Sequence, residues 1–205
     1  KSIVWINFKY KYNLMKFKIF KFKKINSTND KAINMIKAKK EENGFICSLM
    51  QSKGRGRYGS NWKSLKGNFF GSFFFKYNDS YPKFEEFNFI NIKLIINILK
   101  KYIKKNIITF KKPNDILINK KKICGILQEV VSKGENKYLI IGIGINLVSS
   151  PKIKNYQTTN IYHETNIKPD LDKFIFMVVK SYEKLISNIK TKNKKVLNIN
   201  KRKLI

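Results

Sequence analysis

Cysteine and histidine are scarce in this 205-residue chain, which holds two cysteines and one histidine. Cys47 and Cys124 each lie inside an apolar run. They predict buried, reduced thiols and not a disulfide or a metal site. His163 lies in a polar segment, far from any cysteine in the sequence. No Cys/His cluster is therefore available for zinc, and no Ser–His pair is evident for nucleophilic catalysis.

Long hydrophobic runs are also missing. No stretch approaches the roughly 18 apolar residues of a membrane span, and the first residues mix lysines with aromatics, unlike a signal peptide. The hydrophobic content is nevertheless 42%. A chain of this length and composition can bury a core, and the length favours one domain. We expect a soluble cytoplasmic protein with no membrane partner.

Acidic side chains are few, with 13 Asp and Glu against 44 Lys and Arg and a formal charge of +31. The lysines are spread along the whole chain, which indicates a compositional bias and not a local patch. The bias predicts non-specific binding to polyanions at low salt. Specific nucleic-acid binding is the weaker hypothesis, because the aromatics fall in core-like segments and do not alternate with cations on one surface.

Hydrophobic periodicity predicts the main elements of secondary structure. Helical spacing predicts an α-helix capped by Ser27 and ending near residue 39, a second over 84–105 and a third from about 171 to 189. Residues 149–169 are predicted to form a long loop. The last four predicted strands form an antiparallel meander. The strands are predicted at residues 16–24, 45–50, 69–75, 107–110, 116–118, 123–131 and 138–147.

Arginine is rare beside lysine, and two of the three arginines, Arg55 and Arg57, lie between Gln51 and Trp62. Three of the ten glycines share this segment. A guanidinium can hold a phosphate or carboxylate through two parallel hydrogen bonds, and glycine lets the backbone approach a ligand closely. The segment predicts a flexible anion-binding loop between two core strands. A basic surface turn is the alternative.

Three further segments carry polar groups or glycines at the ends or inside of predicted strands. Residues 27–29 lie at a strand-to-helix junction, where they either bind a polar ligand or only cap the helix. Residues 113–115 form a fixed turn, which either presents Asn and Asp to a ligand or is an ordinary turn. Gly125, Gly142 and Gly144 indicate either close approach of a ligand to the strands or a bulge.

Together these segments resemble, in order, the catalytic domain of biotin protein ligases. The resemblance covers about residues 17–189. It implies an α+β fold with a mixed, largely antiparallel β-sheet packed against helices, as in class II synthetases. The segments that carry it are Ser27-Thr28-Asn29, Gln51 through Trp62, Lys111 with Pro113-Asn114-Asp115 and Lys122-Ile123-Cys124-Gly125-Ile126-Leu127, and Gly142-Ile143-Gly144-Ile145-Asn146.

The resemblance also implies a domain organisation. Residues 15–189 correspond to the catalytic domain. We expect residues 1–14 to be a disordered or non-native extension, and 190–205 to be a basic tail in place of the small C-terminal domain. We expect no helix-turn-helix domain before the catalytic part, and therefore no repressor role of the kind that some relatives have.

The implied reaction has two steps. ATP, with Mg²⁺, and biotin form biotinyl-5′-AMP, and biotin then passes to a lysine of a biotin carboxyl carrier protein domain of acetyl-CoA carboxylase or a related carboxylase. The resemblance assigns residues to this chemistry as follows. The biotin pocket comprises Ser27, Thr28, Asn29, Gln51, Gly54, Arg55 and Gly125; the nucleotide contacts are Arg57, Trp62, Asn114 and Asn146; the catalytic residues are Lys122 and Arg57.

Some assignments keep an alternative. Asp115 is either a magnesium neighbour or a structural turn residue, and Lys122 alone would be interpreted as a solvated lysine in a bend. The chain departs from the family at Lys112, where Trp is usual, and at Ser60, where a basic residue is usual. Lipoate ligases and octanoyltransferases share the architecture, but the Gly-Arg-Gly-Arg loop and the Gly-x-Gly-x-Asn strand favour biotin. Exposed sheet edges favour a homodimer.

Overall fold

The computed structural model describes residues 15–104 and 107–191, and its centre is one seven-stranded sheet. The strand order is β1-β2-β3-β7-β6-β5-β4; β1 and β2 are parallel, and every other neighbouring pair is antiparallel. The predicted fold class and the predicted meander are confirmed. The strands are β1 Ile19–Phe22, β2 Gly44–Ser48, β3 Phe69–Tyr77, β4 Ile108–Lys111, β5 Asp115–Ile118, β6 Lys121–Lys133 and β7 Asn136–Ile145.

Helices cover both faces of the sheet. They are α1 Thr28–Lys37, α2 Phe84–Leu99, α3 Ile161–Thr165 and α4 Leu171–Thr191. Helix α1 connects the parallel strands β1 and β2, and its Ala32, Met35 and Ile36 pack on Ile46 and Phe74. Helices α2 and α4 belong to the larger apolar cluster on the opposite face. The predictions for residues 1–14 and for 192–205 lie outside the described residues.

Several predicted bounds shift by one or two residues, and three predictions differ from the structure by more. The predicted loop 149–169 contains α3, because the Asn160 side chain accepts a hydrogen bond from the His163 N–H (2.8 Å) and caps this short helix. Helix α2 ends at Leu99 and not at residue 105. Strand β1 is shorter than predicted, since the Phe17 N–H donates to the Glu183 carboxylate on α4 (3.2 Å).

The larger core is rich in aromatic rings and holds a buried polar network. The rings of Phe73 on β3 and Tyr182 on α4 stack with centroids 4.2 Å apart. The Tyr182 hydroxyl donates to Asn91 Oδ1 (3.0 Å), and Asn91 Nδ2 donates to Gln128 Oε1 (2.8 Å). This network joins α4, α2 and β6. Such buried groups need their partners, because an unpaired polar atom costs free energy of folding.

The predicted state of the cysteines is confirmed: Cys47 and Cys124 are free and buried. Burial raises the pKa of the Cys47 thiol to about 12, and the positive charge of Lys21 offsets this only in part. A thiol held protonated in this way is a poor nucleophile. No helix in the described part of the chain is long and apolar enough to cross a membrane.

Replacing Tyr182 with Phe removes one hydroxyl and leaves Asn91 Oδ1 without its buried donor. We expect Tyr182→Phe to lower the free energy of unfolding by about 1–2 kcal/mol, measured by urea denaturation. Tyr162→Phe is the matched control, because Tyr162 is an exposed residue. Equal stabilities of the two variants would contradict the role assigned to the network.

Candidate functional site

A cleft of about 250 Å³ lies on the side of the sheet that carries α1. It is bordered by the first residues of α1, the loop of residues 51–62, which we call the Arg/Gly loop, the turn before β5, and strands β6 and β7. Segments that are far apart in the sequence therefore meet in one place. The predicted site residues that line the cleft are Thr28, Asn29, Gln51, Arg55, Arg57, Trp62, Asn114, Asp115, Lys122 and Gly125.

Three predicted site residues do not line this cleft. Ser27 caps α1, its Oγ accepting from the Asp30 N–H (3.3 Å). Gly54 is packed beneath Trp62: its carbonyl accepts from the Trp62 N–H (2.8 Å), and a Cβ there would lie 2.6 Å from the Trp62 carbonyl oxygen. Asn146 is buried and lines a smaller adjoining pocket with Trp62 and Lys122.

Hydrogen-bonded polar groups line part of the cleft. Gln51 Oε1 accepts from the Thr28 N–H (2.8 Å) and from Thr28 Oγ1 (3.2 Å). The Ser72 hydroxyl on β3 lies 2.7 Å from Thr28 Oγ1. Thr28, Asn29 and Ser72 are all buried. We call Thr28, Asn29, Gln51 and Ser72 the polar floor, and it offers both donors and acceptors to a ligand.

Both the oxygen and the nitrogen of the Asn29 side-chain amide are hydrogen bonded. Its Oδ1 accepts from the Ser72 hydroxyl (2.5 Å), and its Nδ2 donates to Glu129 Oε2 (2.6 Å) and to the Leu127 carbonyl (3.3 Å). The amide lies against β7 at Gly142, where a Cβ would be 2.2 Å from Asn29 Oδ1. Glycine at this position therefore makes room for a side chain of the protein itself.

The Trp62 indole lies against the other two strand glycines. A Cβ at Gly125 would be 2.8 Å from Trp62 Cζ3, and one at Gly144 would be 2.4 Å from Trp62 Cε2. The predicted close approach to these strands is thus made here by an aromatic ring. Trp62 lines both the cleft and the adjoining pocket, as do Asn61, Lys122 and Tyr156.

A register shift between β5 and β6 directs Lys122 into the cleft. Ile116 pairs with Cys124 while the next residue, Leu117, pairs with Lys122, so Ile123 is the extra residue of a β-bulge. Ile123 and Cys124 are both buried in the core, and Lys122 faces the cleft. Bulges commonly redirect a side chain beside a functional site.

Lys122 is not a solvated lysine in a bend, which was the alternative interpretation. Its Nζ lies 2.7 Å from Asp115 Oδ1, and its side chain is 16% exposed. The same ammonium lies 5.6 Å from the centre of the Trp62 ring and 5.3 Å from that of Tyr156. An ion pair and two aromatic faces therefore hold one positive charge at the wall of the cleft.

The Arg/Gly loop is a short hairpin with its cation at the tip. The Gly56 N–H donates to the Ser60 carbonyl (2.7 Å), and Tyr58 turns the chain with a φ of 52°. Tyr58 is 93% exposed, and the Arg57 guanidinium lies 4.8 Å from its ring centre. Among the described residues no carboxylate forms an ion pair with Arg57. Its charge is available to an anion.

Arg55, by contrast, is already neutralised. Its Nη1 and Nη2 donate to Glu129 Oε1 (2.9 Å) and Oε2 (2.7 Å), and its Nε lies 2.8 Å from Asp30 Oδ1. Burial lowers the pKa of Arg55, but the hydrogen bonds and charges of Glu129 and Asp30 outweigh it and raise the pKa above its usual value. This guanidinium ties the base of the loop to β6 and α1.

Sequence reasoning missed three residues of this site: Ser72, Glu129 and Tyr156. Glu129 had a visible signal, since it is the carboxylate in β6, in a stretch whose only other polar side chain between Ile123 and Val131 besides Cys124 is Gln128. Ser72 stands among phenylalanines, which is a similar signal. Tyr156 lies in a polar loop and had none. No three His, Cys, Asp or Glu side chains of the described residues lie close enough together to hold a metal ion.

A sequence profile of the Biotin/lipoate A/B protein ligase family matches residues 21–146, the part of the chain that builds most of the cleft. The chain belongs to this family. The Escherichia coli bifunctional ligase/repressor BirA is 31% identical over 129 residues, which are 60% of this chain and 38% of BirA. The biotin–[acetyl-CoA-carboxylase] ligase of Paracoccus denitrificans is 28% identical over 127 residues, which are 61% of this chain and 52% of that ligase.

This member of the biotin/lipoate ligase family thus spans about half or less of the length of these curated relatives. Among solved structures, the Aquifex aeolicus biotin protein ligase in complex with biotin and ATP is similar with a TM-score of 0.69 and 25% identity. The similarity covers 85% of this chain and 72% of the Aquifex chain. The fold implied by the sequence resemblance is confirmed.

The close packing of Trp62 predicts a fluorescence change. Gly144→Ala places a methyl group where the indole lies, so the indole must move. We therefore expect a change in the wavelength of the Trp62 emission maximum and in the quenching of that emission. Gly142→Ala, two residues along the same strand, meets Asn29 and not Trp62 and is the control. Both variants are made in a Trp5→Phe background, because the chain has two tryptophans. An unchanged spectrum for Gly144→Ala would contradict the packing.

Proposed function

We propose that this protein is a biotin protein ligase. In this proposal it forms biotinyl-5′-AMP from ATP and biotin, and then transfers biotin to a lysine of the biotin carboxyl carrier protein domain of acetyl-CoA carboxylase or a related carboxylase. The observation that carries the proposal is that one cleft is lined both by Thr28, Asn29 and Gln51 of the polar floor and by the cations Lys122 and Arg57. Family membership and the similarity to a ligase solved with biotin and ATP support it.

The chemistry of the polar floor favours biotin over lipoate. The ureido ring of biotin carries two N–H donors and a carbonyl acceptor, so it can pair with the hydroxyls and amides of Thr28, Asn29 and Gln51. A dithiolane ring or an octanoyl chain has no such groups and could form none of these hydrogen bonds with the floor. Lipoate or octanoate ligation remains the second candidate, because the family includes both kinds of ligase.

Two buried polar atoms support the nucleotide assignment. Asn146 Oδ1 and Trp62 Nε1 have no hydrogen-bond partner among the described residues. Asn146 Oδ1 is a hydrogen-bond acceptor and Trp62 Nε1 is a donor. Both residues line the pocket that adjoins the cleft. An adenine ring offers an amino donor and nitrogen acceptors. We therefore assign the adenine ring to this adjoining pocket, and the ribose and phosphates to the part of the cleft near Asn114.

In the first step the biotin carboxylate attacks the α-phosphorus of ATP and pyrophosphate leaves. Two anions must be brought together, and negative charge on the phosphorus oxygens must be offset. Lys122 is placed for this role, because its pairing with Asp115 holds the ammonium in the cleft. In the second step the carrier amine attacks the acyl carbon of biotin, loses a proton and expels AMP. The ammonium of Lys122 again faces the phosphate that leaves.

The donor set fits a magnesium ion delivered with ATP. Mg²⁺ prefers oxygen ligands and usually takes one or two carboxylates together with substrate phosphates. Asp115 is the acidic residue among the described residues that line the cleft. Its carboxylate would hold the ion beside the phosphates, where the ion would supply additional positive charge.

We assign Arg57 and its loop to retention of the adenylate. An acyl-adenylate is a mixed anhydride that water hydrolyses, so a loop that closes over it protects it. Ser60, in place of a basic residue, removes one cation from this loop and should weaken retention. Lys112, in place of Trp, removes an aromatic surface near the cleft. We further expect a cytoplasmic location, and a homodimer through the exposed edge strands β1 or β4.

The decisive experiment supplies the purified chain with ATP, Mg²⁺ and labelled biotin, lipoate or octanoate in separate reactions, and follows pyrophosphate release. We expect release with biotin, and labelling of a carrier lysine when the carrier domain is added. Release only with lipoate or octanoate would keep the fold and overturn the substrate. Absence of release with every acid would overturn the ligase assignment.

Lys122→Ala tests the proposed catalytic charge. Removing one group that stabilises transition-state charge costs about 100- to 1,000-fold in rate. We expect such a loss of adenylation with the dissociation constant for biotin changed less than about threefold, measured by calorimetry. Lys121→Ala, the neighbouring lysine, is the control and should keep its turnover. Near-normal turnover of Lys122→Ala would remove Lys122 from the mechanism.

A further inference from the structure

We propose that Glu129 is a positioning residue that fixes both the polar floor and the base of the Arg/Gly loop for binding of the acid substrate. The inference rests on the proposed function for its substrate, but its geometry is independent of it. Glu129 lies on β6, and both of its carboxylate oxygens are used. It contacts one residue of the floor and one of the loop, and it leaves the reacting atoms to other side chains.

The contact to the floor sets the orientation of Asn29. Glu129 Oε2 accepts a hydrogen bond from Asn29 Nδ2 (2.6 Å). The oxygen of the same amide, Oδ1, must therefore point to the Ser72 hydroxyl. A carboxylate only accepts hydrogen bonds, whereas a Gln side chain also donates. Glu at this position therefore excludes the flipped amide, which would place Asn29 Oδ1 against a negative charge.

The contact to the loop uses both oxygens of the same carboxylate, and Oε2 is shared with Asn29. Arg55 binds both oxygens of Glu129 in a bidentate geometry, which makes such pairs strong and directional. Arg55 follows Gly54 directly and is bridged to Asn61, at the two sides of the hairpin base. The position of the loop and the orientation of the floor are thereby coupled through one side chain.

The charge distribution argues against an incidental ion pair. The whole chain holds 13 acidic residues against 44 basic ones, and two of the acids, Asp30 and Glu129, surround the Arg55 guanidinium. A lysine-rich surface offers many other cations to a carboxylate. The pair that forms here is directional and only partly exposed, the Glu129 side chain being 25% accessible.

The inference separates Glu129 from Asp30, which also pairs with Arg55 but does not contact Asn29. Glu129→Gln keeps the size of the side chain and places an amide donor where only acceptors fit. We expect the KM for the acid to rise about 10- to 100-fold, as for loss of a charge-assisted hydrogen bond, with the KM for ATP changed less than about threefold. Asp30→Asn should raise the KM for the acid far less. Glu135→Gln, in the exposed turn between β6 and β7, is the matched control.

NMR spectroscopy tests the same positioning role without catalytic turnover. The side-chain amide signals of Asn29, assigned by their loss in Asn29→Asp, should move in Glu129→Gln and stay in place in Asp30→Asn. Thermal melting of each variant checks that the fold is intact. If the wild-type chain activates no acid, the proposed function fails, yet the amide signals still test the positioning role.

Two results would overturn the inference. One is an unmoved Asn29 amide signal in folded Glu129→Gln. The other is an equal rise in the KM for the acid in Glu129→Gln and Asp30→Asn, which would mean that Glu129 acts only by holding Arg55.

Discussion

The site depends on the close packing of two side chains against the glycine-lined surface of β6 and β7. Asn29 and Trp62 occupy the space that side chains at Gly142, Gly144 and Gly125 would fill. Because these strands pair with each other and β7 also pairs with β3, the surface is rigid. Everything else in the cleft is arranged around that contact: the start of α1 carries Asn29, and the Arg/Gly loop ends in Trp62.

Charge pairing divides the basic residues of the site into two kinds. In a chain with a formal charge of +31, most of the described lysines are exposed to solvent. Arg55 and Lys122 instead have carboxylate partners, which fix the direction of each side chain. Arg57 has none among the described residues and lies on an exposed turn. The structure thus provides fixed charges in the wall of the cleft and, on the loop, a charge without an ion-pair partner among the described residues.

The family assignment and the fold were accessible from the sequence for identifiable reasons. Apolar runs such as Phe69–Phe75 on β3 allow few alternatives to a buried strand, and the helical spacing from Phe87 to Ile98 is regular. The Arg/Gly segment and the strand glycines are short but ordered, and their order carries more information than any one of them. The errors fell at element ends. Helix α3, for example, depends on one capping asparagine, Asn160, in a segment without periodicity.

Some properties of this protein were fixed by the sequence alone: the succession of strands and helices, the buried reduced cysteines, and the grouping of rare arginines with glycines. These follow from local propensity and from which side chains water excludes. Only the tertiary structure decided which cations remain free. Whether Arg55 meets Glu129, and whether a bulge at Ile123 directs Lys122 to Asp115, depends on contacts between strands that are distant in sequence. Such contacts are set by sheet register, and register is a property of the assembled sheet.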